Sequence, residues 1–125
     1  MALGDIGGAV TELVITFRTP ESGEVNIQKG DAVALVDDYT VDHGGEGGQV
    51  FGQAINGASE NNARIPVAIR GVMVFTYTGD APDVDGEAGI EAADTPGKVR
   101  KPDIGIGDGV VLHVDEANER VHVLL

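Results

Sequence analysis

The chain has 125 residues, 21 acidic against 8 basic side chains for a net charge of −13, a 42% hydrophobic fraction, 4% aromatics, and neither Cys nor Trp. One domain of this length buries roughly two thirds of its unfolded surface, so a core of Val, Ile, Leu and Ala is expected and disorder is excluded. The missing cysteines exclude disulfides, thiolate metal sites and thiol nucleophiles, and the negative surface argues against binding a phosphate backbone.

The acid excess, with only three lysines (Lys29, Lys98 and Lys101), has two readings. One is adaptation to high salt, where screening lets dense carboxylates coexist; the other is ordinary solubility by charge. No apolar run approaches the roughly 18 residues of a membrane span. The first residues lack the basic and long apolar regions of a secretory signal. The expectation is a chain made in the cytoplasm that binds neither membrane nor nucleic acid.

Residues 1–9 are glycine-rich, with isolated Leu3 and Ile6 and no strand periodicity. They read either as a frayed terminus or as an extended arm that orders on a partner, with Leu3, Ile6 and Val10 as its apolar anchors. Residues 10–125 then form a single β-barrel domain. Short runs rich in Val, Ile, Thr and aromatics predict strands at 13–17, 31–36, 50–55, 65–78, 109–115 and 120–125. Turn clusters separate them at 19–23, 42–48, 57–62 and 79–89. Nineteen glycines punctuate the chain, and no stretch carries the apolar period of an amphipathic helix. The fold class is therefore all-β, a small β-barrel or β-sandwich with glycine-rich turns and a C-terminal β-hairpin.

Two segments allow finer reading. In 65–78, Val67, Ile69, Gly71, Met73, Phe75 and Tyr77 share one face, bulky and apolar as a core face should be. Ala68, Arg70, Val72, Val74, Thr76 and Thr78 share the other. The run is long for one strand, so Gly71 is expected to bend it between two parts of a barrel. At the C-terminus, pairing Val114 with Val121 around a 116–119 loop sets Leu112 against Val123 and Val110 against Leu125. The same register puts His113 opposite His122 on the other face.

Chemistry-bearing motifs are few. His113 and His122 supply half a metal site, and neither Asp115 nor Arg120 completes it; a solvent-facing pair at a subunit contact is the simpler reading. His43, in the glycine-rich 42–48 turn, is expected to be exposed. Asp83-Val84-Asp85-Gly86 imitates a calcium loop, but the first and twelfth ligand positions fall on Ala81 and Ala92, so a solvated acidic loop is expected over 80–91. Gly105-Ile106-Gly107-Asp108-Gly109 leads into a strand and opens no helix to receive an anion. Lys98, Arg100 and Lys101 concentrate three of the eight basic residues in 97–103. They form either a contact for an acidic partner or a basic loop that eases local repulsion. No catalytic residue, metal or cofactor is expected, and the chain reads as a structural module and not an enzyme.

Several motifs together carry a resemblance. They are Gly30-Asp31-Ala32-Val33, Asp38-Tyr39-Thr40-Val41, Val50-Phe51-Gly52-Gln53-Ala54-Ile55 and Pro66-Val67-Ala68-Ile69-Arg70-Gly71-Val72. The closing Gly109-Val110-Val111-Leu112 and Val121-His122-Val123-Leu124-Leu125 continue them. They resemble a family of small β proteins from tailed-virus structural gene clusters, the capsid decoration (cement) proteins. The resemblance implies a virion protein that decorates and stabilises the outer surface of an icosahedral capsid as a homotrimer at local threefold positions. Its partners would be the major capsid protein lattice and itself, with the 1–9 arm lying on the lattice. The acidic bias would fit a salt-loving host. The alternative is a carbohydrate- or surface-binding β-module, Ca-assisted, for which only Phe17, Tyr39, Phe51, Phe75 and Tyr77 supply aromatic rings.

Overall fold

The computed structural model describes residues 12–84 and 87–125; the 1–9 arm and its anchors Leu3, Ile6 and Val10 lie outside them. The described chain is all-β. The strands β1 (Leu13–Arg18), β2 (Ala32–Asp37), β3 (Thr40–Asp42), β4 (Gly52–Ala54) and β5 (Arg64–Arg70) close a barrel in the order β1-β3-β2-β4-β5. The strands β6 (Val72–Thr78), β7 (Glu91–Ala92), β8 (Val99–Arg100), β9 (Val110–Asp115) and β10 (Arg120–Leu124) form a second sheet in the order β7-β8-β6-β10-β9.

Gly71 divides the two layers. Its φ of 121° is open to glycine and strained for other residues, and its N–H and C=O pair with Leu125. The long 65–78 run thus becomes two strands in two sheets. Its odd-numbered face is buried as expected, but into two different cores. Val67 and Ile69 enter the barrel with Phe17, Val25, Ile27, Val33, Val41, Ala54 and Ile65. Met73, Phe75 and Tyr77 meet Ile90, Val99, Val111, Val121 and Val123. Ala68, assigned by parity to the other face, is also buried, because that face of β5 packs on the second sheet with Ala32 and Val50. Small residues on the barrel wall let the sheet approach closely. Gly52 serves the barrel interior instead: a Cβ there would sit 2.5 Å from the Ala68 carbonyl oxygen and 2.7 Å from the Val67 side chain, which belongs to the barrel core.

The terminal hairpin follows the expected register only in part. Val121 faces Val114 and His122 faces His113, but a bulge then sets Val123 against Val111 and Leu124 against Val110. Leu112 is the extra residue. It turns outward at 45% exposure while Val111 takes the buried place at 2%. Alternation alone cannot foresee such a slip, because Val110, Val111 and Leu112 are all apolar and any of them suits the core. Three further elements depart from expectation. Residues 40–42, partly assigned to a turn, are β3; β7 lies at 91–92, where a solvated acidic loop and its flank were expected; and β8 lies in the 97–103 basic segment.

Candidate functional site

The β1–β2 connection builds one wall of the main cleft. Val25 and Ile27 are buried in the barrel core, and Ile27 exchanges two backbone hydrogen bonds with Ala58. Extended backbone alternates its side chains, so Glu24, Asn26 and Gln28 point the other way, into a cleft of about 810 Å³. Val74 and Thr76 of β6 and Arg120 of β10 line the cleft as well. The rest of the lining comes from Lys29, Gly30 and Asp31, from Asp42 and His43, and from Pro96, Gly97 and Lys98. The volume lies within the range of about 300–1,000 Å³ usual for ligand sites.

Asp31 is the most constrained group in it. Its Oδ2 lies 2.7 Å from His43 Nε2 and accepts the Gln28 N–H at 2.9 Å. Gly97 packs directly on this carboxylate, where a Cβ would overlap it, and the Gly97 carbonyl accepts the Ala32 N–H. His43 is therefore not the exposed turn residue expected. It is half-buried against Asp31, and its backbone N–H donates to Asp42 Oδ1 at 2.8 Å. The sequence hides this pair because the two residues are brought together only by the β2–β3 hairpin.

The 97–103 cations are separated by their surroundings. Arg100 donates from Nε to Glu91 Oε2 and from Nη1 to Glu46 Oε1, each at 2.7 Å. Those two hydrogen bonds hold its guanidinium pKa above the ordinary value. Glu91, placed by sequence in a solvated loop, is 8% exposed and serves this pair. Lys101 reaches Asp83 at 3.2 Å across an exposed gap, a geometry that contributes little. Lys98 alone turns into the cleft. Asp83 thus faces a lysine, while Asp85 and Gly86 of the calcium-like loop lie outside the described residues.

On the outer face of β9 and β10 the His113 and His122 rings meet edge to face, with centroids 5.0 Å apart. Among the described residues no cluster of three or more His, Cys, Asp or Glu is placed to hold a metal ion.

The β8–β9 loop carries a feature that the sequence reading passed over. Its base is pinned: Ile90 and Asp108 exchange backbone hydrogen bonds, the Gly107 N–H donates to Ala88, and Asp108 Oδ2 accepts the Val50 N–H at 2.8 Å. A Cβ at Gly107 would overlap the Ile90 backbone. Above this base Ile104 and Ile106 stand 90% and 80% exposed. The signal was present as two isoleucines isolated among glycines, outside any strand period.

No protein-family model matches the chain, and no curated protein sequence matches it significantly.

Proposed function

We propose that this chain is a structural virion protein that decorates and stabilises the outer surface of an icosahedral capsid, as a trimer at local threefold positions and without chemistry of its own. The observation that supports docking on a larger body is the pair Ile104 and Ile106, held almost fully in water on a loop whose base is fixed. Exposed large apolar groups of this kind mark interaction surfaces. A fixed base leaves little chain entropy to lose on binding, so the exposed area converts efficiently to affinity. The capsid as the partner rests on the resemblance of the Val/Gly-rich motifs, and the subunit contact is assigned to the outer face around His113 and His122.

A carbohydrate-binding reading has less support. Phe75 and Tyr77 are buried, and Phe17 meets Phe51 edge to face at 5.5 Å against the barrel core. Tyr39 is the aromatic ring left well exposed, at 65%.

The test is binding of the purified chain to assembled capsids, together with mass spectrometry of purified virions. The double variant Ile104→Asp/Ile106→Asp is expected to keep its circular dichroism and melting temperature. It should lose particle binding by on the order of a hundredfold or more, since each buried isoleucine contributes about 1.5–3 kcal/mol. Virions that contain no copies of the chain, or a double variant that binds as well as the native chain, would overturn the reading.

A further inference from the structure

We infer that His113 and His122 form part of a divalent transition-metal site, whose remaining ligands are the same imidazoles of neighbouring copies of the chain. The three histidines differ in what they touch. His43 is committed to Asp31 at 2.7 Å. His113 and His122 instead face each other across β9 and β10. Neither of these two rings makes a hydrogen bond among the described residues, so their nitrogens are free to bind an ion. Val121 and Val123 are buried on the opposite side of β10, and alternation therefore sends both imidazoles to the outer face.

Two imidazoles chelate one ion when a nitrogen of each converges on it. Zinc holds imidazole nitrogens at about 2.0–2.1 Å in a tetrahedral shell, which sets a pair of them roughly 3.3 Å apart. The rings meet edge to face, with centroids 5.0 Å apart, and that separation leaves room for this spacing once the rings turn. Such a turn is about χ2, a broad torsion, and moves neither strand. Imidazole suits zinc, copper and nickel, whereas calcium and magnesium take oxygen ligands. Among the described residues no group of three His, Cys, Asp or Glu is placed around one ion, so this chain alone leaves the shell incomplete.

Charge and surroundings favour other copies of the chain as the source of the missing ligands. Chains with a net charge of −13 repel wherever their carboxylates meet. On the outward positions of β6, β10 and β9 the one carboxylate is Asp115, and it is held by Asn118 at 2.8 Å. Val74, Leu112 and Leu124 surround the imidazole pair and are 39%, 45% and 43% exposed. Copies meet on this face with little repulsion, and a divalent cation between them lowers it further. Burial of the apolar rim then strengthens a site that two ligands alone would leave weak. The inference rests on the reading of this face as a contact between copies, and not on the capsid as partner.

The probe is zinc ion added to the full chain after treatment with EDTA, followed by calorimetry and sedimentation velocity. Zinc is expected to bind at fewer than one ion per chain and to shift the chain to a larger species, which EDTA reverses. His113→Ala and His122→Ala should each abolish the shift with circular dichroism unchanged. Calcium should produce no shift. The inference is overturned if zinc does not bind, if either alanine variant responds like the native chain, or if calcium acts equally well. It is overturned too if one zinc binds per chain without association. Leu124→Asp keeps both imidazoles and charges the apolar rim. If it weakens self-association in EDTA while zinc leaves the native chain unchanged, the metal site fails and the subunit contact stands.

Discussion

In the barrel every strand has a neighbour on both sides, whereas in the second sheet β9 pairs only with β10 and leaves its other edge open among the described residues. The far end of that sheet is covered differently. Gly47 and Gly48 exchange backbone hydrogen bonds with Ala92 of β7, and the Arg100 guanidinium ties Glu91 to Glu46 above them. The barrel interior is apolar, while the sheet combines an apolar centre with ends held by charge, glycine contacts and a bulge. The bulge at Leu112 lies on the open edge, where irregular pairing discourages indiscriminate strand addition. Ile104 and Ile106 precede that same strand. The closed layer thus supplies the rigid body, and the open layer carries the exposed Ile104 and Ile106 and the His113–His122 face.

The largest test of this division is a cut at each core. Phe75→Ala is expected to cost about 3–5 kcal/mol and Ile65→Ala about 2–5 kcal/mol, read from urea unfolding. Phe75 shares its cluster with Ala32, Val50 and Ala68 of the barrel side. Both variants should therefore shift one common transition. Two separated transitions would show that the layers fold independently and would break the comparison.

A smaller effect isolates the contact between the layers. Gly97 and Gly23 have nearly the same backbone, with φ of 84° and 88°, but a Cβ at Gly23 meets nothing within 4 Å whereas one at Gly97 overlaps Asp31. Gly23→Ala should cost about 1 kcal/mol from backbone strain alone. Gly97→Ala should cost about 2–3 kcal/mol, because it also displaces the carboxylate that receives His43. Equal melting temperatures for the two variants would mean that Asp31 moves aside freely and that the junction is looser than its hydrogen bonds imply.

The parts legible in the sequence were those governed by local rules. Turn residues marked most of the strand boundaries, the odd-numbered face of 65–78 is buried, and the Val114–Val121 and His113–His122 pairs formed as alternation required. What escaped depended on partners distant in the chain. Glu91 is buried because Arg100 and Glu46 converge on it, β7 and β8 have only two residues each, and Asp31 meets His43 across a hairpin. None of these leaves a periodic signal. Ile104 and Ile106 escaped for a different reason: strand patterns ask which apolar residues are buried, and these two are informative because they are not.

The smallest expected effect concerns acid. Asp115, at the start of the β9–β10 turn, accepts the Asn118 side-chain amide at 2.8 Å. That hydrogen bond, the largest influence on it, holds the carboxyl below its ordinary value of 3.8. A carboxyl whose folded pKa lies below its unfolded one binds fewer protons in the folded state. Its contribution is therefore present above the unfolded pKa and is lost as pH falls through the folded value. Asn118→Ala removes the cause, so it should lower stability slightly at neutral pH and make no difference once the pH is below the native Asp115 value. Amide exchange at Val121 and His122 locates the effect. In the native chain their protection should decline over that acidic window before that of Val67 in the barrel, placing the first acid-sensitive pairing in the open layer. A uniform decline in both layers would assign the acid response to the molecule as a whole and remove this distinction between barrel and sheet.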